Sequence, residues 1–194
     1  MQSKALLPLS TLALVTATSK VCIFDIDHTL TRGSLSRASN CEVRAFGPDL
    51  DDESVAAYGS AAIQACVAMN MSIAIASAEA NWFVEKKKPF LTDVSGGLFD
   101  DEFFASAAFQ HGDLLPAMDK RSEYNAILDL FGATANCAVV FDDSKMNGKA
   151  ATDLGINWQL ASKTCEGSQM CLSACGLTES EFNEGIAMLN MACP

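Results

Sequence analysis

The chain has 194 residues, 49% of them hydrophobic, which suits one compact core, leaves little room for a second, and argues against disorder. Its formal net charge is −11 and its pI is about 4.5, so the surface repels nucleic acid and anionic lipid wherever no local basic patch overrides it. The one dense basic run, Lys86-Lys87-Lys88, reads as a solvated helix flank.

Residues 1–19 read as an export signal: Lys4 in a short basic start, an apolar run from Ala5 to Val15, then the small residues Thr16-Ala17-Thr18-Ser19. The run is too short to span a bilayer as a mature helix, so no stable membrane insertion is expected. The alternative is a ragged N-terminal element packed on the domain of a cytoplasmic protein. Residues 20–194 then form a single domain.

Val21 to Phe24 is a short apolar strand ending at Asp25. Ser54 to Met69 is helical, with Val55, Ala62, Ile63, Cys66 and Val67 mostly on one face. Ser72 to Ala76 is a strand ending at Ser77, and Ala80 to Lys88 is a helix that Pro89 should stop. Phe103 to Phe109 is a candidate strand diluted by alanines. Ser122 to Phe131 is a helix, with Tyr124, Ile127, Leu128 and Phe131 in helical spacing and Gly132 as its stop. Ala138 to Phe141 is a strand ending at Asp142-Asp143, Lys145 to Leu154 a helix closed by Gly155, and Ile156 to Leu160 a fifth strand. Thr178 to Met191 is a last helix, with Thr178 and Glu181 at capping-box spacing.

This alternation predicts an α/β fold: a Rossmann-like three-layer α/β/α sandwich around a mainly parallel sheet of about five strands. In such sheets ligands bind beyond the carboxyl ends of the strands, so Asp25, Asp27, Ser77, Asp142 and Asp143 should converge on one crevice. Eight cysteines in an exported chain suggest disulfides, with Cys165, Cys171, Cys175 and Cys193 crowded into the Cys-rich C-terminal segment 165–194. Cys22 and Cys137 fit buried free thiols equally well. Asn70-Met71-Ser72 matches the N-glycosylation pattern.

Those strand-end residues suit phosphate monoester hydrolysis. A carboxylate can attack phosphorus, which splits one slow step into two. A magnesium ion removes the repulsion between carboxylate and phosphoryl dianion, and magnesium prefers oxygen ligands. Asp25 and Asp143 can supply carboxylates from adjacent strand ends, and Asp27 its backbone carbonyl. Asp27, two residues past the nucleophile Asp25, can protonate the leaving oxygen and later accept a proton from water. Ser77 can donate to the phosphoryl oxygens. Lys120 can hold the phosphoryl group and ease repulsion among the carboxylates. Each residue also has a plainer role as turn former, helix cap or surface lysine; their order along the chain carries the argument.

From Cys22 to Leu160 the chain resembles the haloacid dehalogenase-like (HAD) superfamily. Phe24-Asp25-Ile26-Asp27-His28-Thr29-Leu30-Thr31 is similar to its first motif and Ala74-Ile75-Ala76-Ser77 to its second. Lys120 matches the loose third, and Val139-Val140-Phe141-Asp142-Asp143-Ser144, with Asn147, Ala150-Ala151 and Gly155-Ile156 after it, is similar to the fourth. The resemblance implies Asp25 as nucleophile and magnesium ligand, Asp27 as acid/base with its carbonyl on the metal, and Ser77 and Lys120 on the phosphoryl group. It implies Asp143 as a metal ligand and Asp142 as a ligand through water or an acceptor behind the site. Dehalogenating members lack an aspartate at the position of Asp27, which favours a phosphatase here. Two positions depart from the pattern: His28 replaces a small residue, often glycine, and Asn147 stands where many members have an acid.

Superfamily members select substrates through inserted caps. Only about twenty residues separate Thr31 from the helix at Ser54, and one helix fits between Lys120 and Asp142, so no sizeable cap is expected. The loop from Gly33 to Asp52, with Cys41, would form the lip. The open site would take a phosphorylated small molecule or macromolecule and no nucleic acid. A receiver domain is disfavoured because its acid pair comes first and its lone aspartate later. An exported storage or binding protein retaining the fold, and a phosphotransferase, stand as alternatives to hydrolysis.

Overall fold

The computed structural model describes residues 19–31, 55–78, 81–112, 120–161 and 176–194. The expected export signal up to Thr18, the lip loop with Cys41, and Cys165, Cys171 and Cys175 lie outside the described residues. Strands β1 (Val21–Phe24), β2 (Ser72–Ser77), β3 (Phe109–His111), β4 (Ala138–Asp142) and β5 (Asn157–Leu160) form one parallel sheet in the order β3-β2-β1-β4-β5. The helices are α1 (Gly59–Ala68), α2 (Asn81–Val94), α3 (Asp101–Ala105), α4 (Arg121–Phe131), α5 (Lys145–Asp153) and α6 (Glu179–Ala192).

Both faces of the sheet are buried at the central strands β1 and β4, as parallel strands require, while the edge strands β3 and β5 are partly exposed. Phe24, Ile75, Phe109 and Phe141 point to one side, where α1, α2 and α6 contribute Ile63, Leu91 and Phe182. Ile23, Ala76 and Val140 point to the other, against Tyr124 and Ile127 of α4 and Ala150 of α5. Rings of Phe24, Phe141 and Phe182 stack in series at 5.2 and 5.4 Å, which fastens β1, β4 and α6 together. Each such side chain, fully buried, contributes about 1.5–3 kcal/mol.

The described cysteines pair on the α1/α6 side. Cys22 of β1 lies at disulfide distance from Cys66 of α1, and Cys137, just before β4, from Cys193 after α6. Cys22 and Cys137 are therefore not free thiols. Among the described residues no helix is long and apolar enough to cross a membrane.

Three local expectations differ from the structure. The first helix starts at Gly59, not Ser54. Val55 bridges Thr31, Ala56 N–H donates to Leu30 O at 2.9 Å, and Tyr58 N–H donates to Leu177 O at 3.0 Å. These tertiary bonds outweigh local helix preference. Gly176, at φ +65°, closes the same junction; a Cβ there would stand 2.9 Å from Thr29 O and 2.8 Å from Thr31 O.

The second helix runs through Pro89 to Val94. Pro89 is exposed and removes one helical bond, while Val84, Leu91 and Val94 are buried and hold the helix against the sheet. Residues Phe103 to Phe109 are not one strand. Asp100 caps α3 by accepting the Phe103 N–H at 2.9 Å, Asp101 and Glu102 fill its first turn, and the strand begins at Phe109. Between Lys120 and β4 there is α4 and one short turn at Ala135–Cys137, as expected.

Candidate active site

The strand order reverses between β1 and β4, and the crevice beyond that seam holds the candidate residues. Asp25 is extended and donates its N–H to Phe141 O at 2.9 Å, which prolongs the β1–β4 ladder by one residue. Strand alternation turns its side chain to the α4 side, like that of Ile23. There Lys120, immediately before α4, places its ammonium 2.6 Å from Asp25 Oδ1, 2.7 Å from Asp142 Oδ2 and 2.9 Å from Ala76 O. All three ammonium hydrogens are thereby engaged.

Asp142 is fully buried and also accepts from Ser144 N at 2.8 Å and from Asn147 Nδ2 at 3.1 and 3.0 Å. Ligand oxygens of Asp25, Asp142 and Asp143 lie within 4.8 Å of one another. Ser77, also buried, ends β2 beside the Ala76 carbonyl that Lys120 grips, and its own carbonyl accepts Gly112 N–H at 3.1 Å.

One lysine shared by two buried carboxylates leaves a deficit of positive charge. Burial pushes the Asp25 carboxyl well above the ordinary carboxylate range; Lys120 opposes the shift, and the charges of Asp142 and Asp27 add to it. Burial also pulls the Lys120 ammonium down, but Asp25 and Asp142 outweigh that effect and hold it charged. The Tyr124 hydroxyl, buried near this cluster, is driven up by desolvation first.

After Asp25 the chain makes one wide turn over Ile26–Leu30, closed by Thr31 N–H to Ile26 O at 3.0 Å. Asp27 leaves helical geometry at φ −72°, ψ 135°, and His28 sits at φ 57°, ψ 10°. Asp27 is thus thrown outward from the seam. Lys87 of α2 meets its carboxylate at 2.6 and 2.7 Å, with the lysine side chain 6% exposed and the aspartate 22%.

No family model matches the chain, and no curated protein matches it in sequence. Solved structures do. The protein is similar to CbbY from Rhodobacter sphaeroides in complex with phosphate, at TM-score 0.55 and 16% identity, over 89% of this chain and 100% of that one. It is similar to a HAD hydrolase of family IA, variant 3, from Entamoeba histolytica, at TM-score 0.57 and 14% identity, over 89% and 99%. It also matches a HAD family hydrolase from Deinococcus radiodurans with bound phosphate and sodium, at TM-score 0.51 and 14% identity, over 92% and 99%. The chain has the HAD hydrolase fold.

Within this fold the structure brings Asp25, Lys120, Asp142 and Asp143 together, with Ser77 at the neighbouring strand end and Asp27 on the turn after β1. His28, expected from the resemblance to replace a small residue, often glycine, takes the left-handed backbone conformation that glycine adopts without strain. Asn147 is turned to Asp142. The reading of Lys86-Lys87-Lys88 as a solvated flank is corrected at its middle residue. Lys87 is buried, because it shares the inward face of α2 with Val84, Leu91 and Val94. That three- and four-residue spacing was available in the sequence, but a helix presumed to stop at Pro89 hides it.

Proposed function

We propose that the protein is a magnesium-dependent phosphohydrolase that cleaves phosphate monoesters through transfer of the phosphoryl group to Asp25. The observation that carries this reading is the meeting of Asp25, Asp142 and Asp143 within 4.8 Å at the β1–β4 seam, with Lys120 bound between the first two. A divalent cation fits these residues. One ammonium, that of Lys120, lies between the buried carboxylates of Asp25 and Asp142, a ligand oxygen of Asp143 lies within 4.8 Å of theirs, and the buried Oδ1 of Asn147 has no hydrogen-bond partner among the described residues. Asp25, Asp143 and the Asp27 carbonyl would hold the ion, and Asp142 would act through water or from behind.

When bound, the ion neutralises charge between the phosphoryl oxygens and the attacking carboxylate. A carboxylate oxygen of Asp25 attacks phosphorus as the ester P–O bond breaks. The carboxyl of Asp27 gives its proton to the departing oxygen. Water then attacks the phosphorylated Asp25, its proton passes to Asp27, and inorganic phosphate leaves with the Asp25 carboxylate restored. Ser77 donates its hydroxyl to a phosphoryl oxygen, and Lys120 keeps positive charge beside Asp25 throughout.

The test is hydrolysis of p-nitrophenyl phosphate with magnesium and with EDTA. Turnover should require the metal and fall by about 10³-fold or more in Asp25→Asn. Turnover that survives the substitution sinks the reading of Asp25 as nucleophile, and absence of turnover with every phosphate ester tried sinks the enzyme and leaves the storage or binding alternative.

We also read the chain as an exported protein, supported by two cysteine pairs at disulfide distance among the described residues. Intact mass of protein recovered from the secreting cell, before and after reduction, should show loss of residues 1–19 and a gain on reduction. A full-length, fully reduced mass would place it in the cytoplasm.

A further inference from the structure

We propose that Lys87 is a positioning residue for this reaction: it fixes the Asp27 carboxyl on the leaving-group side of the crevice. The inference rests on the reading of Asp27 as the acid/base. Lys87 occupies an inward position of α2 between Val84 and Leu91, both 0% exposed, where an apolar side chain would pack without desolvating a charge. Its ammonium nevertheless reaches past that layer to Asp27, at 2.6 and 2.7 Å from the two carboxylate oxygens.

Contact with both oxygens sets the distance of the carboxyl and turns both of its oxygens toward the ammonium. The backbone of Asp27 leaves the helical region inside the turn and His28 after it is left-handed, and neither of these sets where the side chain points. Each Asp27 oxygen still has a lone-pair position directed away from the ammonium: protonated there, it donates to the departing ester oxygen, and once ionised it accepts a proton from water, while the other oxygen stays bound to Lys87. α2 itself follows Ser77, so one stretch of chain supplies both the phosphoryl contact and the support for the acid.

A residue that acts through the acid has a signature that a merely structural residue lacks. Acid assistance matters most for a basic leaving group and least for p-nitrophenolate. The experiment measures kcat/KM for glycerol phosphate and for p-nitrophenyl phosphate in the wild type, Lys87→Met, Lys87→Arg, Asp27→Asn and the Asp27→Asn/Lys87→Met double variant.

Lys87→Met should lose about 10- to 100-fold on glycerol phosphate and about 3-fold or less on p-nitrophenyl phosphate. Lys87→Arg should recover part of the alkyl ester activity. In the Asp27→Asn background, Lys87→Met should add almost nothing. Equal losses on both esters, or additive losses in the double variant, overturn the proposal and leave a structural ion pair. Should Lys87→Met fail to fold, Lys87→Gln carries the same comparison. If the wild type turns over neither ester, the phosphohydrolase reading falls and the Lys87 role falls with it.

Discussion

Two lysine–carboxylate assemblies stand a few residues apart in the crevice, and they are built differently. Lys120 is 2% exposed, spends all three hydrogens, and joins Asp25 to Asp142 from the mouth of a helix that is itself packed on the sheet. Asp142 is held by three further contacts from Ser144 and Asn147. Lys87 is nearly as buried, but its partner Asp27 is 22% exposed and rides on a turn. On the proposed reading, the first assembly fixes groups that meet phosphorus and a cation at set positions, and the second restrains a group that exchanges protons. One chain has thus used the same pairing chemistry for a frame and for a pivot.

The largest expected effect breaks the frame. Lys120→Met leaves two buried carboxylates without their cation and should destabilise the fold by about 3–5 kcal/mol in urea unfolding, with loss of turnover. Lys87→Met should change stability by only about 1 kcal/mol or less in the same assay, because water reaches Asp27. Comparable losses in the two variants would erase the distinction.

A subtler test uses the metal-free protein. The Asp25 carboxyl is raised in the fold, so its contribution to stability is complete below its unfolded-state pKa and disappears as pH rises through the folded one. Asp25→Asn should therefore raise the thermal midpoint in EDTA, more at mildly alkaline than at mildly acidic pH, and magnesium should restore the wild type relative to the variant. The smallest effect concerns the pivot's hinge. His28→Gly relieves a left-handed histidine and should gain about 0.5–1 kcal/mol at most, since glycine's greater freedom when unfolded offsets part of the relief.

The sequence displayed the frame better than the pivot. Asp25, Ser77 and Asp142 each close a run of apolar residues, so the strand ends and the α/β layering are readable from local pattern alone. Lys120 is the best candidate cation in the sequence because a strongly periodic helix follows it. Lys87 is not visible that way. Its meaning depends on Val84 before a proline and Leu91 and Val94 beyond it being buried on one face, which is a tertiary fact. The same holds for Val55 to Tyr58, whose backbone bonds go to Leu30 and Leu177 instead of to a helix. The α3 turn was legible in principle, since Asp100 followed by two acids is a capping signal that two phenylalanines overshadowed.

The place of β1 in the sheet has a consequence for how the molecule comes into being. Val21 pairs with Ser72 on one side and with Ala138 on the other, so β1 waits for β4, which the ribosome makes later. Such long-range parallel pairing delays folding of the sheet until β4 exists. Asp25 and Asp142 meet across that same late pairing, and a partly synthesised chain therefore has no assembled carboxylate cluster.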